Sequence, residues 1–139
     1  MVPEGRLLII PDSSAWIEYL RRSGRQADNA LDAAVEAGEI IAVTDVTLME
    51  VLAGAKEQER YARFRRLLAT FDFVPTESPS DYIAAADLFR QCRAAGVVVR
   101  SMTDCLIAAV AIRTGAEVLH QDKDFDALAR IAGLRIYPT

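Results

Sequence analysis

Short apolar runs alternate along this chain with longer stretches whose apolar positions recur at helical spacing. RLLII, at residues 6–10, reads as a buried strand closed by Pro11, and SSAWIEYLRR as a helix opened by a serine cap, with Trp16, Ile17 and Leu20 on its apolar face. DNALDAAVEAG is helical with a terminal glycine, IIAV is a second strand, and DVTLMEVLAG and EQERYARFRRLLATF are two more helices. DFVP is a weak strand. SPSDYIAAADLFRQCRAAG has Ser, Pro and Asp at its start and Gly at its end, the marks of a long helix. SMTDCLIAAVAIRTG is a strongly apolar helix, AEVLH a strand, DKDFDALARIAG a helix and LRIYP a final strand.

Strands this short and apolar, alternating with helices, predict an α/β fold in which a central parallel sheet of about five short strands is flanked by helices on both faces, giving three layers. With no repeat, low-complexity tract or linker-like shift in composition, residues 1–139 are expected to form a single domain. In such sheets the ligand crevice lies beyond the carboxyl ends of the strands. Asp12 follows the first strand and Asp122 follows AEVLH, so both are delivered to the same edge of the sheet.

Four segments each carry an acid at the margin of an otherwise apolar element. Asp12 is followed by Ser13 and Ser14, and a helix N-cap is the plain alternative for it. Glu50 is the only charge in VTLMEVLAG, and a buried carboxylate there needs either an arginine partner or a cation. Asp104 opens a helix whose next eight residues, Cys105 to Ile112, are all apolar; taken alone it reads equally as an anion at a helix N-terminus. In DKDFD, a calcium loop requires Gly at the sixth and Glu at the twelfth position from Asp122, where the chain has Ala127 and Gly133. Asp126 fits an ordinary first helical turn and Asp124 fits it in part, which leaves Asp122, nearest the strand end, for the crevice. Convergence of Asp12, Glu50, Asp104 and Asp122 makes an oxygen-only site suited to Mg2+ or Mn2+ rather than zinc, able to bind phosphate and to activate water for in-line attack on a phosphodiester.

Composition alters this picture little. The hydrophobic fraction is 52% and Gly and Pro number 7 and 5, values of a chain that buries a core. Cys92 and Cys105 with a single histidine cannot build a structural zinc site, and reduced core thiols are expected. The net charge of −4 gives no overall basic footprint for nucleic acid, although only Lys56 and Lys123 of the 16 basic residues are lysines and arginine suits bidentate phosphate contacts. A GC-rich genome explains the arginine excess as well. No apolar run is long enough to span a bilayer, and MVPEGRLLIIPD lacks the order of a signal peptide, so a cytoplasmic location is expected.

The acid-bearing segments resemble those of PIN-domain ribonucleases, and more closely the VapC-type toxins of bacterial toxin–antitoxin pairs. IIPDSSAWIEYL is similar to the family's opening strand, first acid and D-x-S; VTLMEVLAG to its Glu segment; MTDCLIAAVAI to its D-x-x-I-A-A segment; and VLHQDKDFDAL to its closing D-x-D-F. Each motif is weak alone, but four in this order and spacing, over nearly the whole chain, are specific. The resemblance implies a PIN-like fold and an acidic pocket of Asp12, Glu50, Asp104 and Asp122, with Asp12, Asp104 and Asp122 as metal ligands. It implies Ser14 orienting the first acid and Asp124 as a further member. It further implies Mg2+- or Mn2+-dependent endonucleolytic cleavage of RNA by a metal-activated water, a cognate VapB-type antitoxin that blocks the pocket, and a homodimer. The chain departs from the family pattern at His120, where Thr or Ser is common, and at Pro11, although a proline at a strand's end loses little pairing.

His120, the only histidine, is assigned to packing rather than to base catalysis, which a metal-activated water makes unnecessary. Arg60, Arg63, Arg65 and Arg66 are read as a solvated helix face with Phe64, Leu67 and Leu68 turned inward, a phosphate track or antitoxin-facing surface being the alternative. A receiver domain would pair two acids after the first strand and end a late strand with lysine, and a dehalogenase-type phosphatase would carry D-x-D where this chain has DSS. A PIN-like module that binds RNA or a partner without cleaving is the remaining alternative.

Overall fold

Neighbouring residues of a strand face opposite sides of its sheet, and this period of two organises the structure. The computed structural model describes residues 5–139; the first four positions of the expected 1–139 domain lie outside the described residues. The strands are β1 (Leu8–Pro11), β2 (Ile40–Val43), β3 (Asp72–Phe73) and β4 (Glu117–Leu119), in the order β3-β2-β1-β4 with every pairing parallel. Ile9, Ile41, Val43 and Leu119 pack on one face, and Ile10, Ala42 and Val118 on the other. Helices α1 (Ser13–Arg21), α2 (Gln26–Glu36), α3 (Asp45–Ala53) and α4 (Gln58–Leu68) cover the first face around the fully buried Trp16 and Leu31. The second face is covered by α5 (Ser80–Ala94), α6 (Met102–Thr114) and α7 (Asp124–Ala132), with Phe125 and Leu128 fully buried.

Helix α6 is buried from Asp104 to Ala111, which explains its apolar sequence: it lies between the sheet and α5 rather than on the surface. Cys92 and Cys105 are buried free thiols in this core. No described helix is long and apolar enough to cross a membrane.

The chain runs outward from β1 to β2 and β3 and returns to place β4 on the other side of β1. The strand order therefore reverses between β1 and β4, and the crevice at such a point is where doubly wound sheets bind ligands.

Three local expectations are corrected. LRIYP forms only a single parallel bridge, Ile136 to Val118, so among the described residues the sheet has four strands rather than about five; Pro138, lacking an N–H, cannot continue the ladder. The cap of α1 is Asp12 and not a serine: its carboxylate accepts from the Ala15 N–H at 2.8 Å. On α4, Phe64 and Leu68 are buried, but Leu67 is 37% exposed, because residues adjacent in a helix diverge by about 100°.

Candidate metal centre

Asp12 leaves the carboxyl end of β1 and Asp122 lies just beyond that of β4, while Asp104 is in the first turn of α6. One carboxylate oxygen from each of these three residues lies within 4.8 Å of the others. Asp12 and Asp104 are buried and Asp122 is half-buried.

Each acid is held differently. Asp12 accepts from the Ala15 N–H and from the Ser14 hydroxyl, whose oxygen is 2.7 and 2.8 Å from the two carboxylate oxygens. Ser14 Oγ in turn accepts from the Gln121 N–H at 3.0 Å. Asp122 Oδ1 accepts from the Asp124 N–H at 3.0 Å, and the Asp122 N–H donates to His120 Nδ1 at 3.2 Å. Asp104 is the least provided for: its Oδ2 is buried without a hydrogen-bond partner among the described residues. A buried oxygen left so costs about 1–3 kcal/mol.

The electrostatics follow. Burial and the neighbouring Asp122 charge push the Asp104 carboxyl up to about 8, with Asp124 and Asp12 adding to the effect. Burial raises Asp12 to about 6, with Asp122 adding to the rise and the bonds from Ala15 and Ser14 opposing it. These carboxylates resist ionising together, so the pocket needs protons or a cation. A hard divalent ion fits the residues present: the donors are all oxygen, they converge, and one is buried without a partner.

Glu50 stands outside this trio. It is half-buried rather than buried, and no described arginine pairs with it; Ser13 Oγ donates to Oε1 at 2.6 Å and Thr103 Oγ1 to Oε2 at 3.4 Å. Two hydroxyls thus hold it where the arginine alternative would have placed an ion pair. Asp124, buried in the first turn of α7, accepts from the Arg100 N–H at 3.0 Å and so ties the segment before α6 to the start of α7. Asp126 is exposed and faces His120 Nε2 at 3.4 Å. The His120 ring lies against Phe125, and burial lowers its pKa, leaving a packed imidazole.

The sequence reading passed over Ser13, Thr103 and Gln121 as participants. None of the three carries a local sequence signal, since Ser13 and Thr103 meet Glu50, and Gln121 meets Ala27 and Ser14, only across long stretches of chain.

The PIN domain model matches residues 9–131. The chain is 40% identical over 129 residues to Ribonuclease VapC11 of Mycobacterium tuberculosis, covering 92% of this chain and 96% of that one. Among solved structures it is similar to VapBC-5 from Mycobacterium tuberculosis, a member of the VapBC family of toxin–antitoxin systems, with a TM-score of 0.66, 27% identity, and coverage of 95% of this chain and 98% of that one. VapBC2 from Rickettsia felis, bound to a DNA fragment from its promoter, gives a TM-score of 0.75 at 17% identity, with 94% and 98% covered, a likeness of fold.

Proposed function

The chain belongs to the PIN-domain family, and from that premise we propose that it is a divalent-metal-dependent endoribonuclease acting as the VapC-type toxin of a toxin–antitoxin pair. The observation that carries the reading is the convergence of Asp12, Asp104 and Asp122, with Asp104 Oδ2 buried and unpartnered. The relationship to VapC11, a ribonuclease, over nearly the whole chain supports RNA as the substrate. The antitoxin of the VapBC-5 complex supports a VapB-type partner. A homodimer and a single domain spanning residues 1–139 belong to the same reading.

Asp12, Asp104 and Asp122 would hold Mg2+ or Mn2+, which when bound offsets phosphodiester charge and favours deprotonation of water. The side chains around the trio set its geometry. Ser14 fixes the carboxylate plane of Asp12 by donating to it, and the Asp124 N–H fixes one oxygen of Asp122. Glu50, held by Ser13 and Thr103, the chain neighbours of Asp12 and Asp104, would orient or accept a proton without being a ligand. No protein nucleophile is required.

Purified protein is expected to cleave structured RNA internally when Mg2+ or Mn2+ is supplied and to stop when EDTA removes it. Cleavage that persists in EDTA contradicts the proposal. Protein that binds RNA but never cuts it points to a non-cleaving module instead.

A further inference from the structure

The loop between β4 and α7 carries Asp122 to the pocket, and its own bonds do little to fix it. The Asp122 N–H to His120 Nδ1 and the Asp124 N–H to Asp122 Oδ1 run between close neighbours in the chain. They move with the loop. Gln121 is different. Its backbone N–H donates to Ser14 Oγ at 3.0 Å, and its side-chain Oε1 accepts from the Ala27 N–H at 3.0 Å, across 94 residues.

Ala27 is the second residue of α2, so its N–H has no acceptor within the helix. Arg25, the N-cap residue, contributes no side-chain bond there. Gln121 therefore caps α2 from another part of the chain. The hydroxyl that receives its backbone N–H is the one that donates to both oxygens of Asp12. A continuous path thus runs from the first turn of α2 through Gln121 and Ser14 to the Asp12 carboxylate, and the residue in its middle is covalently joined to Asp122.

We propose that Gln121 is a positioning residue of the acidic pocket: by tying the Asp122 loop to α2 and to Ser14, it sets the separation of Asp122 from Asp12. This inference rests on the proposed function, because the separation matters only if the two carboxylates share a cation. The two neighbouring side chains serve different ends: Asp122 joins the acidic trio and Gln121 meets the start of α2. A ligand-bearing loop with only local bonds would place its carboxylate loosely, and groups that orient metal ligands affect metal affinity without touching the metal.

The test uses Q121M, which keeps the length of the side chain and removes the acceptor, and Q121E, which keeps an oxygen for Ala27. Mn2+ binding to the RNA-free protein is read by electron paramagnetic resonance. Q121M is expected to bind Mn2+ about tenfold more weakly, within the usual range for outer-shell groups, and Q121E to retain wild-type affinity or better. RNA cleavage by Q121M should recover at saturating Mn2+, since the defect lies in holding the ion. Wild-type affinity in a folded Q121M overturns the inference and leaves the proposed function standing; so does a Q121E as weak as Q121M. Wild-type protein that binds no Mn2+ overturns both. If Q121M does not fold, amide exchange in the wild type decides: Mn2+ should slow exchange at Gln121 and Ala27 together, by the reciprocity of linked equilibria. Unchanged exchange at both overturns the inference.

Discussion

The backbone N–H of Asp12 donates to the carbonyl of Leu119 at 3.0 Å. This bond continues the parallel ladder between β1 and β4 and stands at the carboxyl end of both strands. It therefore fixes the first acid beside the loop that bears Asp122, at the point where the strand order reverses. Asp104 is brought in by a separate element, the buried helix α6, so the trio depends on the packing of α6 against the sheet as well as on the sheet itself.

Removing a member of the trio should abolish cleavage, and neutralising Asp104 should also improve the metal-free fold. Asp12→Ala and Asp104→Ala each delete a proposed ligand, and a loss of at least about 100-fold in RNA cleavage is expected, at or beyond the upper range for orienting groups. Asp104→Asn relieves repulsion at a carboxyl that has no partner for one oxygen. It should raise metal-free stability by about 1–2 kcal/mol, or roughly 3–8 °C in Tm. Cleavage assays and thermal unfolding in EDTA check the two halves separately, and wild-type rates in both alanine variants refute the site assignment.

The pH dependence has a definite sign. Folded Asp104 and Asp12 titrate near 8 and 6, whereas in the unfolded chain they titrate near the ordinary 3.8. Between those limits the native state holds more protons, so the stability these groups contribute is full below about 3.8 and is lost as pH rises towards 8. His120, whose pKa is lowered from 6.5, acts in the opposite direction below that value, so the informative window lies above it. From pH 6.5 to 8 in EDTA, wild-type Tm should fall while that of Asp104→Asn stays nearly flat. Stabilisation by added Mn2+ should grow over the same window, because the ion displaces those protons. Parallel curves for the two proteins count against the assignment.

Ser14→Ala separates orientation from ligation. The hydroxyl contacts both oxygens of Asp12 and receives the Gln121 N–H, so its loss frees the carboxylate to rotate and leaves a half-buried amide without its partner. A fall of about 10–100-fold in metal affinity is expected, with a modest stability loss of about 1 kcal/mol. Mn2+ titration of RNA-free protein measures the first and denaturant unfolding the second. A variant that loses stability but binds Mn2+ normally confines Ser14 to the fold.

Much of the architecture was legible because the strands are too short and too apolar for anything but a sheet covered on both faces. Ile9 and Ile10 illustrate it: adjacent in sequence, both fully buried, they enter different cores. The failures have local causes. Apolar content in LRIYP suggested a strand, but hydrogen bonding to β4 is limited to a bridge at Ile136. At Asp12 the cap and the acidic pocket looked like rival readings, whereas the same carboxylate caps α1 and joins the trio. That Asp12 and Asp122 reach the same edge could be inferred from their places just after apolar strands of a parallel sheet. The hydroxyls that hold Glu50 could not, because Ser13 and Thr103 meet it only after α1, α3 and α6 have packed.

A second cluster of charge, away from the pocket, supplies a control. Asp81 is 3% exposed at the start of α5 and receives Nε and Nη2 of Arg113, the closest contact being 2.9 Å. Burial opposes its charge, but the bonds from Arg113 and the Glu77 N–H outweigh that and hold its carboxyl below the usual range. Arg113 also reaches the Pro75 carbonyl and the Glu77 carboxylate, so one side chain fastens the end of α6 to the turn before α5. Arg113→Ala strands a buried carboxylate and should cost about 3 kcal/mol, lowering Tm by roughly 10 °C. Asp104 lies nine residues earlier on the same helix, about 13 Å away along its axis. Below its melting temperature the variant should therefore bind Mn2+ and cleave RNA within about twofold of wild type, as expected for distant sites that share no partners. Thermal unfolding and a Mn2+ titration at 20 °C test this together, and a loss of metal affinity in folded Arg113→Ala would show that the far end of α6 also governs the pocket.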